Sequence, residues 1–396
     1  MQNDATTTTV GRSPAASWVD WSPATRQAHR DAIARRLDLL GHPLRWLLLA
    51  LLAAACVGLP LLLSGFALKL YVYVGIAAIG AIGLNLLSGN AGQVSLGHPF
   101  FIGMGAYCAA VFGGDLGWPL PAWLAACALL GAVVGAAAGP FALRLRGNYL
   151  VMVTIALVFI GSHIFNNWTA VTGGTAGRAI TPSLQLLGWD LGDSVLKDRR
   201  FAWFVWPLVA LFGLGVVNIL RSRPGRALQA IRDRDLTAEV LGIDMAHYKV
   251  AAFALSSALA AVGGGLYGAY VGFASPAEWT LILAIQYLAM IIVGGVGSVL
   301  GSVVGAAVVI CLPHATQALV ALLPTTGRLI SQSPGDGGWV SVFALNQVLF
   351  GVLIVVFLTR APRGLSAVLG ALWRHLEARF PRRFANPSSH TSRRQA

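Results

Sequence analysis

Apolar residues in this chain come in runs about as long as a bilayer is thick, and short polar stretches separate them. A membrane-crossing helix needs about 20 predominantly apolar residues. Runs near that length are Trp46–Ser64, Leu70–Leu87, Ala91–Phe112, Trp118–Gly139, Tyr149–Asn166, Phe201–Leu220, Val250–Phe273 and Val342–Leu358. The run Leu281–Leu312 is too long for one untilted span; Gly294–Ser298 (GGVGS) divides it, and its second part extends to about Leu323. The pattern predicts an all-α polytopic membrane protein with about ten transmembrane helices, broken or re-entrant near 88–99 and 294–298. Three parts follow: a cytoplasmic tail 1–45, a transmembrane domain 46–359 that includes a charged loop 221–249, and a basic cytoplasmic tail 360–396. In the first tail Ile33, Leu37, Leu40 and Leu44 recur at helical spacing among four arginines, which fits either an interfacial amphipathic helix or a disordered basic tail. No apolar h-region opens the chain, so no cleavable signal peptide is expected.

Composition strengthens this picture. Apolar residues make up 56% of the chain and charged residues 11%, against about 25% charged in a soluble domain. The net charge of +13 could suggest nucleic acid, but the basic residues sit at the termini and in loops between apolar runs. Of the 28 Lys and Arg, only Lys69, Arg178, Lys197, Arg199, Arg200 and Arg328 fall on the outside when the N-terminus is placed inside. That asymmetry predicts both termini in the cytoplasm. Cys56, Cys108, Cys127 and Cys311 all lie in apolar runs, as packing residues do, and no disulfide or metal site is expected from them.

The charged loop Arg221–Lys249 is the longest charge-bearing segment between two apolar runs. Hydrocarbon would not tolerate it, so it lies at the surface, and its basic excess places it inside. Pro224 suits the first turn of a helix, and Ala227, Leu228, Ala230 and Ile231 give that helix an apolar face. Asp235 is placed to cap a second short helix, and Gly242 to stop it. The segment fits an ordinary solvated loop and equally a pair of helices built to dock.

Ser88–Tyr107 (SGNAGQVSLGHPFFIGMGAY) interrupts an apolar region with five glycines, Pro99 and the polar residues Asn90, Gln93, Ser95 and His98. Broken helices at membrane depth persist where they are buried in protein or line a wet cavity. The glycines fit close helix packing; the polar side chains fit a solute pathway or its gate. Asn85, Asn90, Gly92, Gln93, Ser95 and His98 are the candidate pathway residues. A partial echo at Val293–Ala306 (VGGVGSVLGSVVGA) has the same order of apolar helix, Gly-rich break and second helix. Asn166–Gly177 (NNWTAVTGGTAG) opens the longest outside segment, whose Gly, Thr and Asn content predicts turns and either a docking surface or a passive linker.

Some motifs are missing. The sequence has no P-loop, no HExxH and no GxSxG, and no Asp or Glu lies inside a predicted span. No catalytic residue and no cofactor is expected, and coupling by intramembrane carboxylates is disfavoured. A channel of many spans with a docking loop calls for energy from a separate protein. A stand-alone facilitator for a small polar solute such as urea or a short amide is the alternative, and an intramembrane enzyme is the third reading.

From about Tyr71 to Leu369, about three quarters of its length, the chain resembles the permease subunits of ABC importers for branched-chain amino acids, of the LivM type. The marks are GLNLLSGNAGQVSLGHPFFIGMGAY, RLRGNYL, NNWTAVTGG, SRPGRALQAIRDRDLTAEVLGID, YKVAAFALSSALAAVGGGLYG and APRGL, in this order. The resemblance implies a bacterial inner-membrane protein that works with ATPase subunits, a second homologous permease subunit in a heterodimer and a periplasmic solute-binding protein. Membrane lipid surrounds it, and no nucleic acid is involved. It also implies that Arg221–Lys249 seats on the ATPase. Leu228 and Ile231 are then the expected apolar anchors, with Arg226, Arg232, Glu239 and Gly242 around them. Asn167, Thr172, Gly173 and Gly174 are the expected external docking residues. Two departures bear on the solute: Thr172–Gly177 reads TGGTAG where the family reads closer to TGGPNGI, and Asn148 stands where an acid is common.

Overall fold

The computed structural model describes Cys56 and residues 58–144, 148–186, 189–192, 196–322, 330–331, 340–360 and 364–367. The N-terminal tail, most of the first expected span, the turn at 145–147, Arg328 and nearly all of the C-terminal tail lie outside the described residues. The described residues from Cys56 onward form one compact unit.

The main helices are α1 (Gly65–Leu84), α2 (His98–Cys108), α3 (Leu120–Arg144), α4 (Asn148–Asn167), α5 (Lys197–Arg221), α6 (Arg223–Asp233), α7 (Asp235–Val240), α8 (Met245–Val271), α9 (Leu281–Gly294), α10 (Val299–Leu322) and α11 (Val342–Arg360). The all-α reading holds. Three pairs of two-residue strands are the extended structure among the described residues. Six described helices are long and apolar enough to cross a membrane, and two shorter apolar ones, Leu281–Gly294 and Ala344–Arg360, accompany them. The expected span Ala91–Phe112 is not one helix, because residues 91–97 are non-helical and α2 starts only at His98.

Two helices form the centre. The apolar windows of α1 and α8 are 83% and 72% buried, whereas those of α3, α4, α5 and α10 are 28–33% buried. A helix that is apolar on every side belongs inside protein. α8 packs on α3, α2 and α1, and α1 packs on α5 and α10. Small residues permit this closeness: a Cβ at Gly105 would strike the backbone of Ala261, and one at Gly264 that of Ile102. The outer helices expose Leu129, Val133, Met152, Phe159, Leu211, Leu214, Val352 and Val355. These are faces that lipid would cover.

α8 has 27 residues, so it rises about 40 Å from one end of the bundle to the other. At its start lies the α6–α7 hairpin; at its finish Gly272 turns the chain with φ +80° and leads into Phe273–Ala274. That strand pairs antiparallel with Arg178–Ala179. The backbone N–H of Ile180 adds a 2.8 Å bond to Gly272 O, and Arg178 forms an ion pair with Asp115. The segment after α4 is therefore stitched onto the far end of α8.

Candidate functional site

The site is built where α1 stops being a regular helix. After Leu84 the backbone widens into one π turn, Asn85–Asn90, and then runs non-helical to Gly97. A π turn is a recurrent mark of functional sites in helices. The change follows from the sequence: Gly89 and Gly92 carry no side chain to hold a helix, and Gly92 sits at φ +70°, where only glycine is at ease. The second break has the same chemistry. α9 ends at Gly294, and Gly295 and Gly297, at φ +121° and +86°, turn the chain into α10.

Asn85 ties the two breaks together. Its side-chain amide donates to Ser298 O at 2.8 Å and to Ser302 Oγ at 2.7 Å. Its carbonyl accepts from the backbone N–H of Gly297 at 2.7 Å. Asn90 Nδ2 reaches back to Asn85 O at 3.2 Å. Both asparagines are buried, 2% and 4% exposed, and the bonds to Ser302 Oγ and from Asn90 to Asn85 O are made away from water. The echo between the two Gly-rich segments is thus a contact as well as a likeness of pattern.

The hairpin closes on this clamp. Gly225 lies so near α5 that a Cβ would strike Leu220, which folds α6 back under the bundle. Arg232, in the last turn of α6, then lies against both breaks: a Cβ at Gly92 would sit 3.1 Å from its Cγ, and one at Gly297 3.4 Å from its Nη1. Gly364, from the APRGL segment, packs on the second break, with its Cβ position 2.5 Å from the backbone N of Gly295. Four separate motifs of the sequence therefore meet at one end of the bundle.

The structure corrects the docking role expected of Leu228 and Ile231. Each is 4% exposed and faces into this chain with Ala227, because α6 lays its apolar face on the bundle. A side chain committed to its own core cannot fill a partner's groove. The exposed apolar residues of the hairpin are instead Leu236, Val240 and Leu241 on α7, at 63%, 87% and 72% exposed. Arg226, Arg232 and Glu239 are exposed, and Gly242 ends α7 at φ +79° as a stop signal should. Asp235, expected as a cap, is the first residue of α7, and its carboxylate accepts from Leu236 N at 3.0 Å.

Other candidates separate. Gln93 is buried, and its Oε1 has no partner. Ser95 Oγ accepts from Gly97 N at 3.2 Å. His98 lies deeper, with Nε2 at 3.2 Å from Gly80 O and its ring 5.9 Å from that of Tyr287. In the external group, Thr172 is 2% exposed; its Oγ1 donates to Phe165 O at 2.7 Å and accepts from Gly174 N at 3.1 Å. Thr172 and Gly174 shape that segment from within, whereas Asn167, Gly173 and Trp168 are exposed. Sequence reasoning missed Ser298, Ser302 and Gly364 at the clamp, and a cluster of Tyr107, Tyr267, Glu278 and Trp279 at the opposite end. The signal for the cluster was Glu278 standing in a short loop among aromatics.

Comparison with known proteins identifies a family. Residues 66–358 match the family model described as the permease component of the branched-chain amino acid transport system. The high-affinity branched-chain amino acid transport system permease protein LivM of Salmonella typhimurium is 32% identical over 270 residues, 63% of each chain. The LivM protein of Escherichia coli gives the same figures. The permease protein LivH of Escherichia coli is 27% identical over 246 residues, 58% of this chain and 77% of LivH. The chain thus spans less than two thirds of the LivM proteins it matches. No solved structure matches it. With the model covering both breaks, the hairpin and the two central helices, the chain belongs to the family of branched-chain amino acid transport system permease components.

Proposed function

We propose that this chain is a transmembrane permease subunit of an ABC importer that carries branched-chain amino acids, or a closely related small polar solute, inward. Energy comes from ATPase subunits that seat on the α6–α7 hairpin in the cytoplasm of a bacterial cell. A second, homologous permease subunit completes the channel, and a solute-binding protein delivers from the outer side. The observation that carries this reading is the division of labour in the hairpin. α6 buries Ala227, Leu228 and Ile231 against the bundle and places Arg232 on both Gly-rich breaks. α7 leaves Leu236, Val240 and Leu241 uncovered. Helix-in-groove docking uses such apolar anchors. A partner that moved α7 would push α6, and α6 would press on the joint between α1 and α10.

The Asn85–Asn90 clamp is then the element that passes the movement on, and Gln93, with its unpartnered oxygen, is the pathway-facing member of the first break. The test is reconstitution with the ATPase, second permease and binding protein, followed by uptake of leucine, isoleucine, valine and urea with and without ATP. ATP-dependent uptake of the amino acids confirms the reading. Equal uptake after ATP depletion would establish the facilitator instead.

A further inference from the structure

At the other end of the bundle three buried polar atoms have no partner at ordinary hydrogen-bond geometry, although the Tyr107 hydroxyl and the Trp279 indole N–H lie close enough to act on each other. They are Glu278 Oε2, Trp279 Nε1 and Tyr107 OH. Trp279 and Tyr107 are 2% and 3% exposed. An unsatisfied buried polar group is costly and rare in a native fold. Here they occur together, on the turn between α8 and α9 and on the facing part of α2. Ser275 Oγ accepts from Ala277 N at 3.4 Å and Pro276 is buried, so the turn that carries Glu278 is held in shape.

Aromatic faces surround the carboxylate. The Tyr267 hydroxyl lies beside it, and Tyr73 and Tyr107 are within electrostatic range. The Tyr267 ring meets Trp279 edge-on at 5.8 Å and Tyr73 at 6.2 Å. Among the described residues, no cationic side chain is one of the groups that act on Glu278. Lys197 is engaged elsewhere, with Nζ donating to Tyr270 O at 2.8 Å. Burial holds the Glu278 carboxyl above the usual carboxylate range, and the Tyr267 hydroxyl opposes that shift only in part.

We propose that this cluster receives the head group of a zwitterionic α-amino acid: the ammonium on Glu278 among the rings of Tyr267 and Tyr73, and the carboxylate on the N–H of Trp279 and the O–H of Tyr107. A carboxylate flanked by aromatic faces is a site for a cation. The indole N–H can only donate, so it suits an anion. The two halves match the two charges of one small molecule, and Glu278 lies at the bundle end opposite the hairpin, where solute would enter. The proposal rests on the importer reading and adds which residues read the solute.

The experiment uses the full reconstituted complex with wild-type chain, Glu278→Gln, Glu278→Asp and Trp279→Phe. Uptake of leucine should fall by roughly tenfold or more in Glu278→Gln, the factor one charge-assisted hydrogen bond carries, and Glu278→Asp should recover part of it. ATPase retention and docking of the binding protein should be unchanged. Thermal stability of the solute-free complex should stay level or rise in Glu278→Gln, because the neutral amide removes a buried, unpaired charge. A residue that merely holds structure would lose stability and uptake together. Leucine should stabilise the wild-type complex against heat, while leucinamide, which lacks the carboxylate, and 4-methylpentanoate, which lacks the ammonium, should do so less; Glu278→Gln should erase the preference for leucine over 4-methylpentanoate. Unchanged uptake and leucine preference in Glu278→Gln, a parallel loss of stability, or lost docking of the binding protein would each overturn the proposal. If wild type carries no amino acid, the importer reading fails on its own. The leucine stabilisation, compared between wild type and Glu278→Gln, still decides this site: its presence only in wild type supports it, and its absence from both overturns it.

Discussion

Replacing Asn85 by Ala removes the two donations to Ser298 O and Ser302 Oγ and the acceptor for Gly297 N. Inter-helix hydrogen bonds in membrane proteins contribute about 0.6 kcal/mol each, so three of them set a floor near 2 kcal/mol. The part-buried N–H of Gly297 then loses its partner, a penalty of up to about 1–3 kcal/mol. The expected loss is therefore about 2–5 kcal/mol. Asn85→Asp should be worse than its shape suggests, since in its ionised form it keeps the bond from Gly297 N but sets an acceptor against Ser298 O. The first assay is the apparent melting temperature of the purified complex, which should drop by several degrees for a change of this size. The second is the ratio of solute moved to ATP hydrolysed. If the clamp passes movement from the hairpin to the helices, Asn85→Ala should leave the ATPase bound and turning over while uptake collapses. An Asn85→Ala complex with wild-type stability and an unchanged transport ratio would refute both the energetic argument and the coupling role.

Four further outcomes are expected. Leu236→Asp with Val240→Asp should leave the permease folded but strip the ATPase on purification, whereas Leu228→Asp with Ile231→Asp should destabilise the permease itself; pull-down and melting curves separate the two. Gly297→Ala, at φ +86° and 3.4 Å from Arg232 Nη1, should cost about 1 kcal/mol or more from backbone strain and lower transport without loss of assembly. Thr172→Ala should cost about 1–3 kcal/mol by freeing the buried Gly174 N–H and Phe165 O, read as faster proteolysis of the segment after α4, while Trp168→Ala should weaken docking of the binding protein with no change in melting. Uptake should fall in acid at a pH above that of an ordinary carboxylate, because the raised pKa of Glu278, whose titratable neighbours are Tyr73, Tyr107 and Tyr267, protonates it early; the same raised pKa means that its ionisation costs stability as pH rises through it, so solute-free wild type should gain melting temperature as uptake is lost, and Glu278→Gln should show neither trend.

Much of this protein is legible in one dimension because the bilayer is a severe solvent. Backbone groups in hydrocarbon must bond within the segment, so the length and placement of apolar runs determined helices α3, α4, α5, α8 and α10 nearly to their ends. The hairpin was readable because Pro224 and Gly242 punctuate helices through local backbone chemistry alone, while Asp235, expected as a cap, became the first residue of α7. The two Gly-rich breaks were visible as departures from an apolar pattern. Which face of each helix looks inward was not legible. Helices of this kind are apolar all round, so α1 and α8 at the centre and α3 at the rim have similar sequences, and only packing distinguishes them. That is why Leu228 and Ile231, apolar residues in a charged loop, suggested a plug for a partner, when tertiary contact had already committed them to the bundle. Asn85 and Ser302 are 217 residues apart, and no local rule links them; the fold alone brings the two breaks, Arg232 and Gly364 to one joint. Glu278 shows the same division. The sequence determined that an acid stands just outside the spans, and only the structure decided that it is half-buried, ringed by tyrosines and, among the described residues, left without a cation of its own.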